Sequence, residues 1–239
     1  MGEKMNTSFF AELIGTMILV LLGDAVVANV ILKKTKGENG GVIAITAGWA
    51  FAVAIPVFMF GSISGAHFNP AVTIALASIG SFDWADVPMY LIAQFIGAFI
   101  GAALVLVLYY DHFKSTDDKS TKLGVFCTGP AVRNLKLNFI TEFVGTFVLM
   151  FAILGIGASK LADGISPIAI GILIWGIGLS LGGPTGYAIN PARDLGPRLV
   201  HFLLPVPQKG DSDWGYALIP VIAPICGAIV AAFTYNMIF

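Results

Sequence analysis

The chain has 239 residues, 57% of them apolar and 11% charged, where a soluble domain carries about 25% charged residues. That composition excludes an ordinary water-facing surface, and a net charge of −1 offers no basic footprint for nucleic acid. The solvent that fits these numbers is a lipid bilayer.

After a short charged start (Glu3, Lys4), mostly apolar residues run from about 8 to 32. This run is too long for a signal-peptide core and no small-residue cleavage site closes it, so it reads as a first membrane helix. Further runs near the spanning length of roughly 20 residues follow at 41–61, 87–110, 138–158, 166–182 and 215–238. The fifth is short and Gly-rich toward its end. Six spans put both termini on one side, and the longest connection, 111–137, is too short for a separate soluble domain. One membrane domain over 1–239 is expected.

Two further segments, 69–79 and 190–202, are too short to span and too apolar for ordinary loops; each opens with Asn-Pro-Ala. About ten helical residues reach roughly 15 Å, half the hydrocarbon core, so two such half-helices meeting end to end would complete one crossing. The chain also repeats itself. Phe10-Ala11-Glu12-Leu13-Ile14-Gly15-Thr16 is echoed by Ile140-Thr141-Glu142-Phe143-Val144-Gly145-Thr146, at an offset of 130. Gly65-Ala66-His67-Phe68-Asn69-Pro70-Ala71 is echoed by Gly186-Tyr187-Ala188-Ile189-Asn190-Pro191-Ala192, at an offset of 121. Each half, approximately 1–110 and 138–239, holds three spans, so the second enters from the opposite side. Paired interrupted segments in an inverted repeat mark a transport site.

The Asn-Pro-Ala chemistry is specific. Proline at the first helical position wastes no hydrogen bond, and asparagine before it is a preferred cap whose side-chain oxygen accepts a first-turn N–H. The amide NH2 of Asn69 and of Asn190 is then free to donate into the space ahead. Each helix N-terminus also carries about half a positive charge. Two of them aimed at one midplane raise a barrier to cations that neutral hydroxyl-bearing molecules do not meet.

With these residues in view, the chain resembles the major intrinsic protein family, the aquaporins and glycerol facilitators. The likeness rests on Ala11-Glu12 with Gly15-Thr16, the run from Ser64 to Thr73, Thr141-Glu142 with Gly145-Thr146, and Asn190-Pro191-Ala192-Arg193-Asp194, and it extends over essentially the whole chain. It implies an all-α membrane protein with six tilted transmembrane helices and two re-entrant half-helices, one pore per subunit and a homotetramer. By offset from the two motifs, the family's selectivity filter falls on Trp49, Gly178, Tyr187 and Arg193. Tryptophan with glycine at the first two positions looks like a glycerol facilitator, because water-selective members typically carry Phe and His there. Asp194, Arg198 and Pro220 follow the same pattern. Tyr187 stands where those proteins usually have Phe, Val221 where Leu is usual, and Leu106 at a place often held by Tyr.

The resemblance implies passage of glycerol and related small uncharged solutes with water, no cofactor, and no enzymatic reaction. Arg193, a costly residue at membrane depth, is expected to face the pore and bond solute oxygens rather than snorkel to the interface. The loop carbonyls of Gly65, Ala66, His67, Gly186, Tyr187 and Ala188 are expected to line the pore. Glu12 and Glu142 are read as carboxylates that accept the N–H groups of those loops. His67 is read as a pore-side hydrogen-bonding group, and Asp24 as reaching a vestibule. Gly61-x3-Gly65, Gly97-x3-Gly101 and Gly178-x3-Gly182 read as close helix-packing sites. Cys226 reads as a small core residue, and Cys127 has no assigned role.

A water-only pore stands as the alternative, as does a channel whose main solute is undissociated lactic acid, dihydroxyacetone or urea. A coupled transporter has little to couple protons with beyond Glu12, Glu142 and Asp24. An intramembrane enzyme finds no HExxH, GxSxG or phosphate-binding loop. The positive-inside rule conflicts with the family's orientation. Lys33, Lys34, Lys36, Lys114, Lys119, Lys122, Arg133, Lys136 and Lys209 lie on connections the family places outside, against Lys4 and Lys160 inside. Both termini are expected in the cytoplasm on the strength of the resemblance.

Overall fold

A computed structural model describes residues 2–239, with side chains from residue 6 onward; Glu3 and Lys4 thus lie outside the described side chains. The described residues are helical with no strand. In chain order the helices are α1 (Gly2–Ile31), α2 (Gly41–Ser64), α3 (Pro70–Ser78), α4 (Val87–Leu108), α5 (Tyr110–Ser115), α6 (Lys119–Phe126), α7 (Leu135–Ala158), α8 (Ile165–Leu181), α9 (Pro191–Leu203) and α10 (Ile219–Ile238). Five of them (α1, α2, α4, α7 and α10) are long and apolar enough to cross a membrane. The sixth, α8, has 17 residues, or roughly 26 Å of rise. α3 and α9 are the two half-helices, and α5 and α6 occupy the long connection that the sequence leaves without elements.

Small residues set how closely the long helices approach. A Cβ added at Gly97 of α4 would lie 2.2 Å from the Leu13 carbonyl oxygen of α1, and one at Gly101 would lie 2.5 Å from that of Met17. The second half repeats the crossing 130 residues on: a Cβ at Gly227 of α10 would lie 2.2 Å from the Phe143 carbonyl oxygen of α7. Backbone contact this close is how helices associate where no hydrophobic force separates protein from lipid. The other two expected glycine pairs act differently. Gly61 has nothing within 4 Å, and Gly65 ends α2 in the left-handed region at φ +83, where a side chain is strained.

The half-helices exchange partners between the repeats. α3 packs against α10 and α9 against α4. Their N-termini meet, with Asn69 and Asn190 hydrogen-bonded across the junction, so the broken span lies between the two halves.

The connections after α1, around α5 and α6, and after α9 gather at one end. The Thr116 hydroxyl accepts from the Lys33 N–H, the Lys122 ammonium donates to the Pro207 carbonyl, and Arg133 pairs with Asp213. The Lys209 ammonium donates to the carbonyls of His201, Phe202 and Leu204 at the end of α9, where a cation also favours the helix dipole. Lys33 pairs with Glu38 and Lys114 with Asp111. Five cations that weigh against the family's orientation are thus engaged in local structure at this mouth, which weakens their count as a topological signal.

Candidate functional site

A cavity of about 260 Å³ runs past the meeting point of the half-helices. At about 30 Å³ per liquid water, it holds several small molecules in a row. Its lining joins apolar side chains, among them Val53, Val57, Leu149, Ile153, Ile170 and Ile174, with the two irregular loops, their asparagines and Arg193.

The loops are built alike. Ala66 (φ 52), Phe68 (φ 50), Tyr187 (φ 40) and Ile189 (φ 44) adopt positive φ without being glycine, after Gly65 and Gly186 at φ 83 and 84. Such backbone costs of order 1–3 kcal/mol per residue and persists only where its surroundings hold it. The holder is a carboxylate in each half. Glu12 accepts from the N–H groups of His67 (2.9 Å) and Phe68 (2.8 Å), the Ser64 hydroxyl (2.7 Å) and the Gln94 amide (2.8 Å). Glu142 accepts from the N–H groups of Ala188 (3.0 Å) and Ile189 (2.9 Å). Both carboxylates are fully buried behind the loops. Gly15 opposite Phe68 and Gly145 opposite Ile189 leave the room that these loop side chains take.

The asparagines cap as the motif requires. The Asn69 side-chain oxygen accepts from the Ala71 N–H (2.9 Å), and that of Asn190 from Ala192 and Arg193 (3.0 and 3.3 Å). Their amides, however, are not wholly free. Asn69 donates to the Ile189 carbonyl and Asn190 to the Phe68 carbonyl, both at 2.8 Å. Each cap therefore spends one N–H locking the opposite loop and retains one for the cavity, on which both asparagines lie.

At one end the cavity is bounded by Trp49, Tyr187 and Arg193. The Arg193 guanidinium carbon stands 4.1 Å from the Trp49 ring centroid, a cation–π arrangement. Gly178 is not on the lining. A Cβ there would lie 2.9 Å from Tyr187 Cζ and 3.0 Å from its hydroxyl, and a Cβ at Gly182 would lie 2.5 Å from Tyr187 Cδ1. A Cβ at Gly178 would also lie 2.9 Å from Thr46 Cγ2 of α2, so the Gly178-x3-Gly182 edge seats the Tyr187 ring as well as packing against a helix. The hydroxyl is buried without a hydrogen-bond partner among the described residues. Gly65, Ala66, His67 and Ala188 line the cavity, whereas Gly186 does not.

Of the residues around the site, Phe82, Tyr90, Gln94, Thr128 and Ser212 carry no sequence signal that points to them. His67 Nδ1 lies 3.1 Å from the Thr73 hydroxyl, which also accepts from Gln94 (3.0 Å), and its ring packs on Phe82 and Tyr90. In the second half Asp194 takes the place of Thr73. It pairs with Arg198 at 2.8 Å and accepts from the Thr128 N–H and hydroxyl, while Arg198 donates on to Ser212. Cys127 and Cys226 are free thiols, Cys127 buried. Asp24 reaches no vestibule: it is fully buried, with Oδ1 3.8 Å from Arg193 Nη1.

The comparisons agree with this architecture. The family description Major intrinsic protein matches residues 3–235. The chain is 60% identical to a probable glycerol uptake facilitator protein of Thermotoga maritima, over 97% of this chain and 99% of that one. It is 51% identical to the glycerol uptake facilitator protein of Bacillus subtilis, over 98% and 85% respectively. Among solved structures, the aquaglyceroporin from Plasmodium falciparum superposes with a TM-score of 0.87 at 31% identity, covering 97% of this chain and 96% of that one. By name these relatives are glycerol uptake facilitators and an aquaglyceroporin.

Proposed function

This chain belongs to the major intrinsic protein family, the premise from which we propose that it is a passive channel for glycerol and related small uncharged solutes, with water. The observation that carries this reading is a cavity lined by two kinds of surface: apolar side chains, and a polar set made of loop backbone, Asn69, Asn190 and Arg193. A polyol has the same two kinds of surface, carbon on one side and hydroxyls on the other. Sliding along such a passage, it keeps its hydrogen bonds while its carbon backbone stays out of water.

In this reading Trp49, Tyr187 and Arg193 form the selectivity filter, with Gly178 acting behind it as the seat of the Tyr187 ring. Asn69 and Asn190 each offer one remaining N–H at the midplane, and two helix N-termini face the passage there, so cations and protons are excluded. The loop carbonyls of Gly65, Ala66, His67, Tyr187 and Ala188 supply acceptors along the way. The working unit is one membrane domain in a homotetramer surrounded by lipid, with both termini in the cytoplasm. Protease cleavage within residues 114–122 from outside sealed cells tests that orientation.

Stopped-flow light scattering on proteoliposomes tests the function. An inward glycerol gradient produces fast shrinkage followed by rapid reswelling, while a sucrose gradient produces shrinkage alone. Fast shrinkage without reswelling in glycerol would instead establish a water-only pore and make Tyr187 the first suspect.

A further inference from the structure

The inverted repeat permits a comparison that isolates one pair of residues. Arg193, the third residue of α9, corresponds to Val72 of α3 at the offset of 121, and Asp24 of α1 corresponds to Leu154 of α7 at the offset of 130. Each repeat thus sets one charged residue against an apolar counterpart in the other, and the two opposite charges, one from each repeat, meet. Asp24 Oδ1 lies 3.8 Å from Arg193 Nη1, with Asp24 at 0% exposure and Arg193 at 8%. Neither Asp24 oxygen nor Arg193 Nη1 has a hydrogen-bond partner among the described residues. Each is therefore the nearest electrostatic answer to the other at this depth.

The residue before Asp24 serves the same place. A Cβ on Gly23 would lie 2.2 Å from Trp49 Cζ3, so the bare backbone at Gly23 lets the Trp49 ring press against α1. The guanidinium then lies with the ring on one side and the Asp24 carboxylate within ion-pair distance. Gly23 and Asp24 together hold the two largest polar or aromatic walls of the filter from behind.

We propose that Asp24 is the buried counter-charge and positioning residue of Arg193, and that it keeps the filter closed to small anions while leaving the guanidinium available to neutral solutes. The physical need is plain. Arg193 and two helix N-termini put positive charge on one passage, and such a passage without compensation attracts anions. Asp24 supplies the compensation without touching the solute, because it is shut off from the cavity. This inference rests on the reading of Arg193 as a filter residue.

Two measurements test it. In the first, proteoliposomes of the full chain and of Asp24→Asn and Asp24→Glu are assayed for glycerol reswelling. Nitrate entry, driven by a valinomycin-imposed potassium potential, is followed with an anion-quenched dye inside. The unaltered channel and Asp24→Glu are expected to pass glycerol and hold nitrate at the level of empty vesicles, while Asp24→Asn passes nitrate well above it. A glycerol-conducting Asp24→Asn channel that still excludes nitrate overturns the proposal.

The second measurement does not depend on any one variant conducting. Asp24→Leu, Arg193→Val and the double variant, which reproduces the Leu154 and Val72 pair, are compared by thermal stability in detergent. Each single variant is expected to be less stable than the double, because it leaves a buried charge alone; additive losses overturn the proposal. An unaltered channel without glycerol flux would count against the proposed function, while this cycle would still decide whether the pair exists.

Discussion

The two half-helices begin with the same three residues and end their resemblance there. At the midplane they are interchangeable: Asn-Pro cap, a loop in left-handed conformation at equivalent positions, a buried glutamate behind it, and an amide reaching for the other loop. One turn further on they diverge. α3 continues with Val72 and Thr73, the Thr73 hydroxyl hydrogen-bonded with His67 and Gln94; α9 continues with Arg193 and Asp194, held by ion pairs with Asp24 and Arg198. Backbone geometry at the junction is thus built twice by one device, while the buried ion pairs form only around α9. A symmetric midplane and an asymmetric mouth can coexist because a different set of side chains governs each.

Breaking the shared device should cost unequally, and most at Glu12. Glu12→Ala leaves two backbone N–H groups, the Ser64 hydroxyl and the Gln94 amide without their acceptor. At about 1–3 kcal/mol per stranded group, a loss of roughly 5 kcal/mol is expected. Glu142→Ala strands two N–H groups and should cost about 3 kcal/mol. Thermal denaturation in detergent, followed by loss of monodisperse protein, should rank the variants in that order; equal losses would show that the two carboxylates do the same amount of holding.

The next test compares Asp194 with its counterpart Thr73. Asp194→Ala removes one member of a fully buried ion pair, which typically costs about 3–5 kcal/mol, and frees the connection at Thr128. Thr73→Val removes a hydroxyl that is in no ion pair for about 2 kcal/mol. The same denaturation assay separates them, and a Thr73→Val loss as large as that of Asp194→Ala would erase the asymmetry. The smallest effect belongs to Tyr187→Phe. Its hydroxyl is buried without a partner, so removal should raise stability by about 1 kcal/mol and preserve or increase glycerol flux. A large fall in flux with the fold intact would mean that the hydroxyl contacts the solute.

Much of the fold is legible because the membrane makes its demands in one dimension. Six apolar runs and two segments opening with Asn-Pro-Ala fall on α1, α2, α4, α7, α8, α10, α3 and α9, since length and capping chemistry are local properties. Lateral contacts are not local. Gly178 and Gly182 have the spacing of a helix-packing pair, yet spacing alone cannot say whether a helix or the Tyr187 ring fills the gap. The crossing of Gly227 over Phe143 goes unread for a related reason, although it repeats that of Gly97 over Leu13. Asp24 is the clearest case. Its partner is 169 positions away on a re-entrant helix, and nothing in either neighbourhood points to the other. The amides of Asn69 and Asn190 show the opposite limit, where local chemistry identifies the donors but not that the facing loop claims half of them.

The central claim is that solutes are selected at the Trp49, Tyr187 and Arg193 end and not along the whole cavity. Its most direct test compares two glycines. Gly178 has no space for a methyl group without displacing the Tyr187 ring, whereas Gly157, on the cavity lining, has nothing within 4 Å of an added Cβ. The glycerol-to-water flux ratio should be measured by stopped flow for Gly178→Ala and Gly157→Ala in proteoliposomes. A Cβ at Gly178 that displaces the Tyr187 ring predicts a lowered ratio in Gly178→Ala and an unchanged one in Gly157→Ala. An unchanged ratio in Gly178→Ala, or equal losses in both, would contradict the account.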